Sequence, residues 1–213
     1  MFIFGHIGIT LGAAVLVSGL VTTARRAYKK DNNSMPTQTK SLKSAPLREK
    51  SSLIRSWFES LGGFLDIRIL IIGSLLPDII DKPFGFYLLG NGRIITHTLL
   101  VTLVVTIIGI CLYMMKKKTW LLALAIGMIS HLILDGMWLN PQVFLWPLHG
   151  WTFAKLKPTN WIARWLSVLR GDYRVYIPEV AGLVVVIVFL WLQVKQKRLT
   201  TFLASGNMRE KKD

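Results

Sequence analysis

The chain has 213 residues, 52% of them apolar and 17% charged, with a mean hydropathy of +0.47. Its 26 Lys and Arg against 11 Asp and Glu leave a formal charge of +15, which on an evenly mixed soluble chain would describe a nucleic-acid binder. Here the cations are segregated between long apolar runs, so the expected partner is the lipid bilayer and no nucleic acid is expected.

A bilayer core calls for about 20 apolar residues of helix. The first such run is roughly Phe2–Ala24. Its positive charges follow the run, the reverse of a secretory signal peptide, so it is expected to be retained with Met1 outside. Residues 25–60 read as a basic cytoplasmic linker insert. Within it DNNSMPTQTKSLKSAPLREKSS (31–52) is polar and Pro-containing, and Leu53–Leu61 (LIRSWFESL) is amphipathic and Trp-bearing, as interfacial helices are. The second run, Phe64–Asp81, is weaker, because Asp66 and Arg68 reduce its clean part to Ile69–Pro77, a length that also suits a re-entrant segment. Ile94–Met115 is the third. It holds the single cysteine, Cys111, which excludes a disulfide framework and a Cys-based zinc ribbon and reads as a small buried or lipid-facing hydrophobe. Lys116, Lys117 and Lys118 turn the chain into a fourth run, Thr119–Leu139. Trp161–Leu169 (WIARWLSVL) is a second amphipathic stretch, Tyr176–Val194 is the fifth run, and 195–213 is a basic tail.

Lys and Arg favour the cytoplasmic side of short loops. Five spans with the N-terminus outside and the C-terminus inside place the 25–55 loop, the 116–118 triplet and the tail on that side. Were Phe64–Asp81 not a span, the Lys triplet would fall outside. The expectation is therefore an all-α, multi-pass membrane helical bundle: one membrane-embedded domain over 1–213 with about five transmembrane helices.

All four histidines then fall on the outer side: His6, His97, His131 and His149. So do the acids within or bordering the apolar runs: Asp78, Asp81, Asp135 and Glu179. An ionised Asp at mid-span costs roughly 2.5–3.5 kcal/mol on insertion scales. With no Lys or Arg inside the runs apart from Arg68 at the far end of the second, a divalent metal is the expected source of positive charge. His131 and Asp135 (HLILD) are spaced i,i+4, and Asp78 and Asp81 (PDIID) i,i+3, so each pair shares a helix face. Pro77 disturbs the turn before Asp78, a tolerable irregularity where backbone lines a cavity. The candidate metal ligands are His6, Asp78, Asp81, His97, His131, Asp135 and Glu179, a surplus that suggests more than one ion. Several have plainer readings beside this one. His6 also suits an interfacial residue, Asp81 beside Lys82 an ion pair at a helix end, and Glu179 a simple helix start. His149 suits a loop hydrogen-bonder, and Arg93 an interface anchor or an oxyanion clamp.

GSLLPDIID (73–81), RIITHTLL (93–100), HLILDGMW (131–138) and LWPL (145–148), after GHIGIT (5–10), together resemble the YdjM family. That family is described as LexA-regulated, inner-membrane-associated, metal-dependent hydrolases, and is similar at a distance to the zinc-dependent phospholipase C and P1 nuclease group. The similarity leaves out the 25–60 insert and the tail. It implies an inner-membrane location and carries over His6, Asp78, His97, His131 and Asp135 as metal ligands. Two positions depart from the family pattern. Many members have Asp-x-Asp-His where this chain has Asp78-Ile79-Ile80-Asp81-Lys82, and many have a His before the Arg where this chain has Gly92.

The function expected is a membrane-bound, metal-dependent hydrolase acting from the extracytoplasmic face on a phosphoester or lipid-like substrate. Zinc is the expected metal, with manganese as the alternative. Asp78 would serve as bridging ligand or general base and Arg93 would steady a developing oxyanion. A proton- or cation-linked transporter is a competing reading, but it needs polar groups through the inner halves of the spans, where Val101–Met115 offers only Thr102 and Thr106. A non-catalytic protein stapled by metal is the third reading.

Overall fold

In the computed structural model, residues 3–34, 66–89, 92–153, 166–167, 171–195, 199–200 and 202 are described, and their regular structure is entirely helical. Six α-helices follow in chain order: α1 (Ile3–Ser34), α2 (Ile67–Leu89), α3 (Leu99–Lys116), α4 (Trp120–Leu134), the single turn α5 (Pro141–Phe144) and α6 (Tyr173–Lys195). Short 3-10 turns occupy Ile95–His97 and Met137–Leu139. The stretch Leu53–Leu61, most of Trp161–Leu169 and most of the tail lie outside the described residues.

Four differences from the boundaries read off the sequence bear on the site. α1 continues past Ala24 to Ser34, so the first part of the expected 25–60 linker is helical. α2 does not close at Asp81 but runs to Leu89 through Pro77 and Pro83. Charge suggested an end at Asp81–Lys82, yet Asp81 turns into the protein and Lys82 reaches back one turn to Asp78, so the pair does not mark a helix end. α3 starts at Leu99, after a 3-10 turn closed by Thr98, whose hydroxyl accepts the Val101 N–H at 3.3 Å. His97 therefore sits on the turn ahead of the helix. α4 stops at Leu134, short of Leu139: Gly136 adopts φ +60°, and its N–H bonds the Ile133 carbonyl at 3.0 Å. A left-handed glycine just past the last turn is a common helix terminator.

Among the described residues, two helices, α3 and α6, are long and apolar enough to cross a membrane. Their apolar side chains face outward for most of their length: Leu103, Val104, Ile107 and Ile108 on α3, and Val184, Ile187, Val188 and Trp191 on α6, are all exposed. Cys111 lies on the same outward surface of α3. The 15 residues of α4 span about 22 Å at 1.5 Å per residue, less than a hydrocarbon core of about 30 Å.

Contact between helices relies on missing side chains as much as on large ones. A Cβ on Gly8 would lie 2.2 Å from the Gly182 carbonyl oxygen, and one on Gly127 would lie 2.3 Å from the Leu70 carbonyl oxygen. Backbone meets backbone where α1 passes α6 and where α2 passes α4, as small residues permit in membrane bundles. Leu11, Ile67 and Phe202 form one small buried cluster, and Leu132, Met137 and Val143 another. The starts of α1 and α3 and the later parts of α2 and α4 meet at one end of the bundle, where His6, His97, Asp78 and His131 come together.

Gly127→Ala should lower stability in detergent by about 1–3 kcal/mol, because the new methyl meets backbone and only helix movement can relieve it. Gly12→Ala, whose Cβ would sit 3.6 Å from a Val185 methyl, should be neutral or mildly stabilising, since alanine favours the helix by up to about 1 kcal/mol. Thermal melts of the two variants side by side check the contrast.

Candidate metal centre

The site is built from α2, the turn before α3, and the end of α4. α4 supplies His131 and, at its C-cap, Asp135, whose N–H bonds the His131 carbonyl at 2.9 Å and so continues the helical register by one residue. α2 supplies Asp78 and, one turn on, Asp81.

Asp81 organises the third strand of the site. Its carboxylate accepts backbone N–H groups from Ile94 at 2.9 Å, Thr96 at 3.0 and 3.1 Å, and His97 at 3.1 Å. The Thr96 hydroxyl adds a bond to the Pro77 carbonyl at 3.1 Å, pinning the same turn to α2. Oδ2 of Asp81 also lies 2.7 Å from Nδ1 of His97. A buried carboxylate needs such donors, because its charge is otherwise costly out of water.

These contacts set the tautomers. The ionised carboxylate of Asp81 can only accept, so Nδ1 of His97 carries a proton, and when the ring is neutral its Nε2 presents a lone pair. Nδ1 of His131 lies 2.7 Å from the backbone carbonyl of Ser74, which also can only accept. Its Nε2 is therefore a second lone pair. The two Nε2 atoms face each other at 3.2 Å, and Asp78 Oδ1 lies 3.5 Å from the first and 3.8 Å from the second. Three potential ligand atoms thus converge, and a cation among them would join all three.

The spacing suits one. In a tetrahedral site with metal–ligand bonds of about 2.1 Å, neighbouring ligand atoms stand about 3.4 Å apart. With an oxygen of Asp135, the ligand atoms of Asp78, His97, His131 and Asp135 all fall within 4.8 Å of one another. All four side chains are buried. This group could hold a metal ion. Asp81 and the Ser74 carbonyl would then stand as the outer partners that fix both imidazoles.

The remaining candidates take other places. His6 is fully buried and stacks on the His131 ring, with centroids 4.1 Å apart. Its Nε2 lies 3.2 Å from Asp135 Oδ1 without hydrogen-bond alignment, and neither ring nitrogen has a hydrogen-bond partner among the described residues. It sits beside the four-residue group as an unused donor atom. Asp81, expected as a ligand, stands behind His97 with its oxygens committed to N–H groups. Glu179 is buried on α6 and lies outside the group, and His149 is exposed in the turns after α5. Arg93 directs Nε and Nη2 at Asp135 Oδ2, at 3.1 and 2.9 Å.

The expectation that these acids lack positive neighbours therefore needs correction. Arg93 pairs with Asp135, and Lys82 pairs with Asp78. Lys82 had been matched only to its neighbour Asp81, although the i,i+4 spacing to Asp78 was present in the sequence. Ser74 had no detectable signal, since its carbonyl carries the contact.

The model of a family described as YdjM inner membrane protein matches residues 44–200. The match includes Asp78, Asp81, Lys82, Arg93, His97, His131 and Asp135, and leaves His6 outside. No curated protein and no solved structure matches the chain.

Plasma mass spectrometry of detergent-purified protein should find a bound divalent ion, reduced below one equivalent by His131→Ala or Asp135→Ala. Metal retained at wild-type level in both variants would show that the ligands lie elsewhere. Asp81→Asn should keep the ion but weaken its affinity about 10–100-fold, the usual effect of losing a residue that orients a ligand.

Proposed function

The chain belongs to the YdjM inner membrane protein family, and from that premise we propose that it is a membrane-embedded, metal-dependent hydrolase. Asp78, His97, His131 and Asp135 hold its divalent ion. The observation that carries this reading is the convergence of two imidazole Nε2 atoms and a carboxylate oxygen within 3.8 Å of one another. The two-nitrogen, two-oxygen donor set favours zinc and also accommodates manganese. His6, whose Nε2 lies 3.2 Å from Asp135 Oδ1, is the donor nearest to hand for a second ion.

We place the site at the extracytoplasmic end of a bundle of about five spans. The two long apolar helices support this, as do the clustering of the metal-binding side chains at one bundle end and the basic 25–55, 116–118 and tail segments.

A divalent ion in this setting supplies Lewis acidity and a bound water acidified towards neutrality. The protein's own groups do the rest. Asp78 directs Oδ1 at the imidazole nitrogens and Oδ2 at Lys82, so with Oδ1 toward the ion Oδ2 is the oxygen that would take a proton from an attacking water. The half-buried Arg93 guanidinium, anchored on Asp135, sets a permanent cation beside the site, where it can oppose negative charge developing on a phosphoester. Asp81 and Ser74 hold the two rings against rotation.

A structural metal staple is the second reading, and the complete burial of both imidazoles favours it. A panel of phosphomonoesters and phosphodiesters separates the two. Metal-loaded protein should hydrolyse at least one class, lose activity on chelation and regain it with zinc or manganese. Asp78→Asn should lower kcat by about 10²–10⁴-fold if the carboxylate is the base. Metal-loaded protein that is inert across the panel, yet melts at lower temperature after chelation, would establish the staple.

A further inference from the structure

Between Asp135 and Lys155 the chain contains no Asp, Glu, Lys or Arg, and it is not one long helix. It folds as a cap of short turns: the 3-10 turn at Met137–Leu139, then α5, then further turns through Gly150. A charge-free segment of this kind on a water-facing surface would be expected to bury its large side chains. This one does so with only some. Met137 and Val143 pack on Leu132 of α4, with Phe144 and Phe153 against them. Leu139, Leu148 and Trp151 instead stand 81%, 86% and 77% exposed, with Trp138 also outward.

The cap is attached to the candidate metal centre. Trp138 follows Asp135 by three residues, Leu132 adjoins His131, and α5 packs on the turn that carries His97. Half-buried cations, Lys82 and Arg93, belong to the same site. Cationic groups beside a charge-free apolar surface complement an anionic amphiphile. Trp-rich, uncharged segments are at home in the interfacial zone of a bilayer. Trp146 adds a second observation. Its ring packs against Trp151 and Phe153, at 5.8 and 5.6 Å between centroids. Its indole N–H is buried, and Trp is a residue of the interfacial zone.

We propose that the 137–153 cap is a membrane-inserted rim that holds the acyl portion of a phospholipid while its phosphate lies at the metal centre beside Arg93 and Lys82. The substrate half of this proposal rests on the hydrolase reading; the inserted rim does not. The rim delivers an ester that never has to leave the leaflet.

Nitroxide labels at Leu148→Cys and, separately, Leu139→Cys, each on a Cys111→Ser background, report their depth in phosphatidylethanolamine–phosphatidylglycerol vesicles by power saturation. Both labels should collide more with oxygen, which concentrates in the bilayer, than with an aqueous nickel chelate. Nickel-dominated labels would overturn the rim. Labels shielded from both reagents and broadened by a second copy would also overturn it, by making the cap a protein interface. Wild-type kcat/KM for phosphatidylglycerol in vesicles should exceed that for a short water-soluble phosphodiester by about tenfold or more, since remote binding energy is used at the reacting bond. Equal turnover of the two would overturn the phospholipid assignment. Oxygen-dominated labels without hydrolysis of either compound would overturn the hydrolase reading and leave the inserted rim standing.

Discussion

Charged and polar groups placed in an apolar helical bundle must find partners within the protein, and that constraint orders the end of the molecule that matters most. Asp81 is the clearest case. Its carboxylate is almost wholly buried, and every donor it uses comes from the 94–97 turn: three backbone N–H groups and one imidazole. Without that carboxylate the turn would leave several N–H groups unpaired out of water, each costing on the order of 1–3 kcal/mol. Without the turn the carboxylate would be an uncompensated buried charge. The two are stable only together, and their union aims His97 Nε2 at the other donors.

The same logic accounts for His131. The Ser74 carbonyl that receives its Nδ1 belongs to α2, one residue from Gly73, where the α4 backbone approaches so closely that a Cβ would lie 2.3 Å from the Leu124 carbonyl oxygen. Glycines at 73 and 127 let α2 and α4 come together, and that approach puts a main-chain oxygen within reach of the imidazole. Packing and site geometry are thus one arrangement seen twice.

Much of the candidate site was legible because its residues are expensive where they stand. Asp78, His97, His131 and Asp135 each interrupt or border an apolar run, and hydropathy alone marks them. What hydropathy could not show is where one apolar stretch changes conformation. Thr119–Leu139 reads as a single run, yet a helix and an uncharged cap share it, with Gly136 as the only stop signal. The end of α2 was misplaced for the opposite reason. Asp81 and Lys82 look like a solvated boundary until the partners of each are known, and the partners of Asp81 lie thirteen to sixteen residues away in sequence. Tertiary contacts of that kind leave no local periodicity to detect.

The position of the site at helix ends also bears on its sign. The carbonyls of the last turn of a helix leave roughly half a negative charge at its C-terminus, and α4 terminates at Asp135, inside the cluster. Three carboxylates, from Asp78, Asp81 and Asp135, add to that potential, while Lys82 and Arg93 offset two of them from the half-exposed side. Asp81 has no Lys or Arg partner among the described residues and relies on N–H groups of the 94–97 turn. A proton shared between the two Nε2 atoms would serve only one edge of the group. A divalent ion would answer all the lone pairs at once and would weaken the hold of Asp78 and Asp135 on Lys82 and Arg93. Those two cations would then be better placed to receive an anionic group. On the proposed function, cation binding within the cluster and anion binding at its mouth would be coupled through the same two carboxylates.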